Sequence, residues 1–121
     1  MRQLKFRAWA HSSKVMFNPN SDNGWELIDG ELRPLPNTSL MQFTGLQDKN
    51  GVDIYEGDII SIQYIRKEYT NLVVCWSNDS ALFYTSKEVG GEGCAISRSH
   101  MEEFEVIGNL HENPELLTDN N

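Results

Sequence analysis

Hydrophobic and polar residues alternate along most of the chain with a period of two, the spacing that puts every second side chain on one face of a strand. In Leu4-Lys5-Phe6-Arg7-Ala8-Trp9, Leu4, Phe6 and Ala8 fall on one side, and Lys5, Arg7 and Trp9 on the other. A shorter run, Lys14-Val15-Met16-Phe17, ends in the turn-rich residues 18–24, so the two runs form an opening hairpin. Trp25-Glu26-Leu27-Ile28 and Glu31-Leu32 flank Asp29-Gly30, a dipeptide that accepts positive φ at both positions and so favours a tight hairpin. Pro34 and Pro36 stop pairing beyond it, because proline cannot donate to a ladder.

Residues 40–46 are apolar and lead to Asp48-Lys49-Asn50-Gly51, a strong turn; Val52, Ile54 and Tyr55 then run into Gly57-Asp58. A strand follows over 59–65. Ile60, Ile62 and Tyr64 share one face, while Ile59, Ser61, Gln63 and Ile65 form a mixed face expected to be half exposed. After a polar turn at 66–71, residues 72–76 are apolar on both faces and β-branched in part, which predicts a central strand. Residues 77–80 turn the chain and 81–85 return it. Glu88-Val89-Gly90-Gly91-Glu92-Gly93 reads as a hairpin tip and, by composition, as a mobile loop. Phe104, Val106 and Gly108 alternate with Glu105, Ile107 and Asn109 in a further strand. Asn113 as cap, Pro114 at the first helical position and Glu115 in the first turn predict a C-terminal helix of one or two turns, docked by Leu116 and Leu117. Residues 118–121 are expected to fray. The expected fold is mainly β: a small twisted barrel or sandwich of short antiparallel strands with a short C-terminal helix, forming a single domain over residues 1–117.

Composition narrows the class. With 121 residues, 39% hydrophobic and 23% charged, the chain is long enough for one self-supporting core. No apolar run approaches the roughly 20 residues needed to cross a bilayer, so no membrane association is expected. The basic N-terminus is not followed by the apolar stretch of a secretory signal, and two cysteines are too few for a disulfide scaffold. A reduced, cytoplasmic protein is expected. The net charge of -8 argues against a broad phosphate-tracking groove. The charge is nevertheless polarised: residues 1–21 hold four bases and no acids, and six acids without a Lys or Arg follow from Glu102 to the end.

Three segments together resemble the YopX family, small proteins found largely in phages and prophages. They are Leu4-Lys5-Phe6-Arg7-Ala8-Trp9; Leu40-Met41-Gln42-Phe43-Thr44-Gly45-Leu46-Gln47-Asp48-Lys49-Asn50-Gly51 running on through Ile54-Tyr55-Glu56-Gly57-Asp58-Ile59-Ile60; and Phe104-Glu105-Val106-Ile107-Gly108-Asn109-Leu110-His111-Glu112-Asn113-Pro114-Glu115-Leu116-Leu117. The resemblance covers nearly the whole chain. It implies a β-rich fold and a mobile-element setting, hence the cytoplasm of a bacterial host, and it supplies no reaction and no catalytic residues.

Candidate chemistry centres on Asp48, Asp53, Glu56 and Asp58. A calcium loop counted from Asp48 puts Val52 at the fifth position, Gly51 at the fourth instead of the sixth, and Ile59 at the twelfth. Glu56 and Asp58 as an acid–base pair lack a nucleophile. The simpler reading makes Gly45, Asp48, Asn50, Gly51, Gly57 and Asp58 a structural turn motif whose backbone donors the Asp side chains satisfy. Cys75, Cys94, His100 and His111 are spaced by 19, 6 and 11 residues, unlike paired metal ligands, and Glu102 and Glu103 do not repair the pattern. A Cys94–His100 nucleophile pair lacks an orienting third group, and residues 90–93 lack the Gly-Lys-Ser/Thr of a phosphate loop. Neither metal nor cofactor is expected. Arg7, Trp9, Gln42, Phe43 and Tyr55 are the candidate interface or recognition residues: an Arg–Trp pair stacks on a base or on a partner's side chain, although packing explains Trp9 more simply.

The expectation is therefore a non-enzymatic protein-association module. The two partly apolar faces of the 59–65 strand point to a homo-oligomer, and a host or phage protein is a further partner. Alternatives are an acidic inhibitor of a host nucleic-acid-processing or defence protein, its acids imitating a phosphate backbone, and a weak nucleic-acid binder through the basic N-terminal strand.

Overall fold

A computed structural model of the chain describes residues 5–17, 25–29, 31–34, 37–63, 69–96 and 103–117. They fall in two units, residues 1–43 and residues 44–121. In the first, β1 (Phe6–Ala10) pairs antiparallel with β2 (Val15–Phe17), with Trp9 opposite Met16. This is the opening hairpin predicted from the alternation, closed by the Lys14 N–H donating to the Ala10 carbonyl at 2.8 Å. On its other side β1 pairs antiparallel with the start of β5 (Thr38–Gln47), setting Arg7 opposite Met41 and Trp9 opposite Ser39. Trp9, Met41 and Phe43 share one face of this pair and are buried; Ala8, on the other face, is buried too. Between these strands, β3 (Trp25–Ile28) and β4 (Glu31–Pro34) form the two-residue hairpin expected of Asp29-Gly30, with Ile28 opposite Glu31 and Asp29 at φ 52°.

In the second unit, the end of β5 neighbours β6 (Asp53–Tyr55), and a five-stranded antiparallel sheet follows. Its strands are β7 (Asp58–Gln63), β8 (Tyr69–Ser77), β9 (Leu82–Ser86), β10 (Gly93–Ala95) and β11 (Phe104–Asn109), in the order β10-β9-β8-β7-β11. β8 is the central strand, as its two apolar faces predict. One face of the sheet sets Ile60, Ile62, Leu72, Val74 and Phe104 against Ile54 of β6, with Leu46, Phe83, Ile96 and Val106 packed around them. The loop 87–92 joins β9 to β10 as a hairpin tip.

One expectation needs correction and a second is made more specific. The second face of β7 is not half exposed at Ile59: this residue is fully buried, as Val73 is opposite it on β8. A 3₁₀ turn, Pro114–Leu117, lies over the same face, where Asn71 Nδ2 donates to the Leu116 carbonyl at 2.9 Å. Ile59, one of the apolar positions on the two faces that suggested a second copy, is thus covered within the chain. The C-terminal helix is a single 3₁₀ turn, Pro114–Leu117. Pro114 opens it, and Leu116 N–H closes back onto the Asn113 carbonyl at 3.1 Å. The predicted polar turn at 66–71 lies partly, and the fraying tail at 118–121 wholly, outside the described residues. The mainly-β, antiparallel character stands, and among the described residues no helix is long and apolar enough to cross a membrane.

Candidate functional site

The acidic turn between β5 and β6 is built around a buried carboxylate. Asp48 is only 4% exposed. Its Oδ1 accepts from the N–H of Asn50 at 2.8 Å and of Val52 at 2.9 Å, folding the turn around the carboxylate. Its Oδ2 accepts from the N–H of Val106 at 2.9 Å, which ties this turn to β11 across 58 residues of sequence. The main chain repeats the link, with the Lys49 N–H donating to the Phe104 carbonyl at 3.0 Å. Gly51 takes φ 81°, the left-handed conformation this turn requires, and donates to the Asp48 carbonyl at 3.0 Å. Three N–H donors on one buried carboxylate leave it little capacity to grip a cation or abstract a proton.

The second bend is built the same way. Asp58 is 1% exposed, and its Oδ2 accepts from the Tyr55 N–H at 2.7 Å. Gly57, at φ 88°, donates its N–H to the Val74 carbonyl at 2.8 Å and accepts from the Leu110 N–H at 2.7 Å. A single buried residue thereby joins β8 to the end of β11. Gly57→Ala forces an L-residue into that left-handed conformation and is expected to lose about 1–2 kcal/mol of stability, measured by urea unfolding. Gly45, in the middle of β5 at φ 90°, supplies a third left-handed position.

Sequence reasoning missed the organising role of Asn109. A β-bulge between Val106 and Gly108 shifts the alternation, so Asn109 is buried. Its Oδ1 accepts from the N–H groups of His111 at 3.0 Å and Glu112 at 2.9 Å, and its Nδ2 donates to Glu112 Oε1 at 2.9 Å. Asn113, expected as a helix cap, instead accepts through Oδ1 from the Asn109 N–H at 3.1 Å. A Cβ on Gly108 would come within 2.6 Å of that same oxygen, so glycine is what lets the two segments close. The available signal was an Asn at a strand end followed by polar residues, the signature of a side chain bonding its own following backbone.

The recognition candidates do not form one exposed cluster. Arg7, Trp9 and Phe43 share a face of the β1–β5 pair, with Trp9 and Phe43 buried; the Lys5 ammonium lies 4.5 Å from the Phe43 ring centroid. Gln42 lies on the opposite face, across from Phe6, and Tyr55 is buried in β6 of the second unit. Cys75 is buried and Cys94 exposed; His100 lies outside the described residues. No group of three His, Cys, Asp or Glu side chains among the described residues is arranged to hold a metal. Tyr84, opposite Cys75, has its phenol held above the usual tyrosine value, first by desolvation and then by its interaction with the neighbouring Cys75 side chain.

Comparison with known proteins places this arrangement. The family model described as YopX protein matches residues 5–118. The crystal structure of protein EF1440 from Enterococcus faecalis superimposes with a TM-score of 0.69 at 26% identity, covering 97% of this chain and 99% of that one. That of protein yopX from Bacillus subtilis gives a TM-score of 0.61 at 23% identity, covering 96% of this chain and 98% of that one. No curated protein matches the chain.

Proposed function

The chain belongs to the YopX family, and from that premise we propose that it is a non-enzymatic protein-association module, a phage- or prophage-derived accessory protein working in the bacterial cytoplasm and associating with itself. The observation that carries this reading is the use made of Asp48. The buried Asp48 carboxylate is consumed by backbone donors from a turn and from β11. Asp58 and Asn109 are buried and spent in the same way. What the chain offers to its surroundings is surface: Val15, Leu40, Val52, Trp76, Val89 and Ile107 are exposed apolar side chains on a molecule of net charge -8. Size-exclusion chromatography with light scattering at tens of micromolar is expected to give a mass above the 13.8 kDa monomer. A clean monomer there removes self-association.

The same charge favours a second reading, an acidic inhibitor of a host nucleic-acid-processing or defence protein. Capture of a basic host protein that is lost steeply between low and high salt is the expected result under that reading. The nucleic-acid reading has less support, because Lys5, one of the four bases near the N-terminus, lies over the Phe43 ring of its own chain.

A further inference from the structure

The two edges of the five-stranded sheet are finished differently. On β11 the outer edge is already occupied: Phe104 accepts from Lys49, and Val106 donates to the Asp48 carboxylate. Beside them Glu105 is charged and lies 3.7 Å from Lys49 Nζ, and a bulge interrupts the strand after Val106. Bulges, charges and a covering loop are the devices that keep a strand edge from pairing. Among the described residues, β10 at the opposite edge has none of them. Gly93, Cys94 and Ala95 are small, uncharged and all exposed.

The ladder to β9 shows which of their groups are open. Ile96 donates to the Phe83 carbonyl at 3.2 Å, and Cys94 stands opposite Thr85 in the same register. Hydrogen-bonded pairs alternate with non-hydrogen-bonded pairs in an antiparallel ladder. The main-chain groups of Cys94 therefore turn inward to Thr85, and those of Gly93 and Ala95 turn outward.

We propose that a second copy of this chain docks on β10, pairing Gly93–Ala95 antiparallel with the same residues of its mate about a twofold axis at Cys94. The proposal rests on the self-association reading above and gives it an interface. An outward row of this kind is complementary to itself: Gly93 of each copy exchanges main-chain bonds with Ala95 of the other. The register also keeps charge apart. Glu92 stands beside Ile96 of the mate, so two chains that each carry -8 meet without setting one carboxylate against another. With β11 closed, this sheet has one open edge among the described residues, and a twofold contact through one edge closes at a pair instead of growing into a filament.

The register makes a geometric demand. Cys94 faces Cys94 as a non-hydrogen-bonded pair, with Cα atoms about 4.5 Å apart, inside the range of about 4.4–6.8 Å that a disulfide spans. Mild oxidation with diamide, which takes up the two hydrogens the thiols lose, is expected to trap a covalent dimer of the full chain. Cys94→Ser should abolish the trapping, since Cys75 is buried. Ala95→Pro deletes an N–H that points away from β9, so the fold should persist by circular dichroism while the dimer is lost on chromatography. A wild-type dimer that resists trapping at Cys94, or that survives in a folded Ala95→Pro variant, overturns this interface and leaves self-association standing. A wild-type monomer overturns both.

Discussion

Asp48→Ala is expected to destabilise the second unit by about 3–4 kcal/mol, among the largest effects available to a single polar substitution here. The reasoning counts what each lost bond leaves behind. Hydrogen bonds to a charged acceptor contribute about 1.5–3 kcal/mol each. Asn50 and Val52 are exposed, so water replaces the carboxylate at their N–H groups and recovers part of the loss. Val106 is half-buried in β11, and its N–H loses its partner with less access to water. Asp48→Asn separates the two roles. Its amide oxygen can still serve Asn50 and Val52, but the amide nitrogen then faces the Val106 N–H, donor against donor. It should therefore cost about 2 kcal/mol, with the change concentrated at β11. Urea unfolding gives the totals, and faster hydrogen exchange at the Val106 amide locates the effect. An Asp48→Ala variant as stable as wild type would mean that this carboxylate does not hold the fold, and would reopen its use by a ligand.

Asp48 also shows where sequence reading stops. The turn itself was legible, because Asp48, Asn50 and Gly51 carry local conformational preferences that act within four residues. The bond to Val106 spans 58 positions, and nothing in either segment announces the other. The same division holds elsewhere. The Asp29-Gly30 hairpin and the central place of β8 follow from short-range pattern and appear as read. The alternation in β11 was right as far as Val106 and then failed, because a bulge adds a residue and reverses the phase, burying Asn109. At the C-terminus, Asn113-Pro114-Glu115 carries a true helix-start signal, yet the result is one 3₁₀ turn. The cap's side chain is claimed by Asn109, and a few residues gain too little to offset the cost of nucleating a helix. Trp9 beside Arg7 offered a recognition pair, with packing the simpler reading of Trp9, and Trp9 is buried on the face it shares with Met41 and Phe43.

Ile59 decides how the faces of β7 should be understood. Alternation with Ser61 and Gln63 makes its face look half polar, and an apolar residue on such a face invites a partner. The residue is instead 0% exposed in a single chain, as is Ile60 on the opposite face. Ile59→Ala should then cost about 3 kcal/mol, within the range for truncating a buried isoleucine to leave a cavity, and Ile60→Ala should cost a similar amount. Dilution distinguishes the two explanations for Ile59. If a second copy covered it, the penalty would be part of the association energy and would shrink as the protein is diluted below its dimerisation range. If the chain covers it alone, the difference between wild type and variant stays constant at every concentration, even while pairing through β10 makes both melting temperatures drift together. A constant difference is the expected result; one that vanishes on dilution would return β7 to the interface.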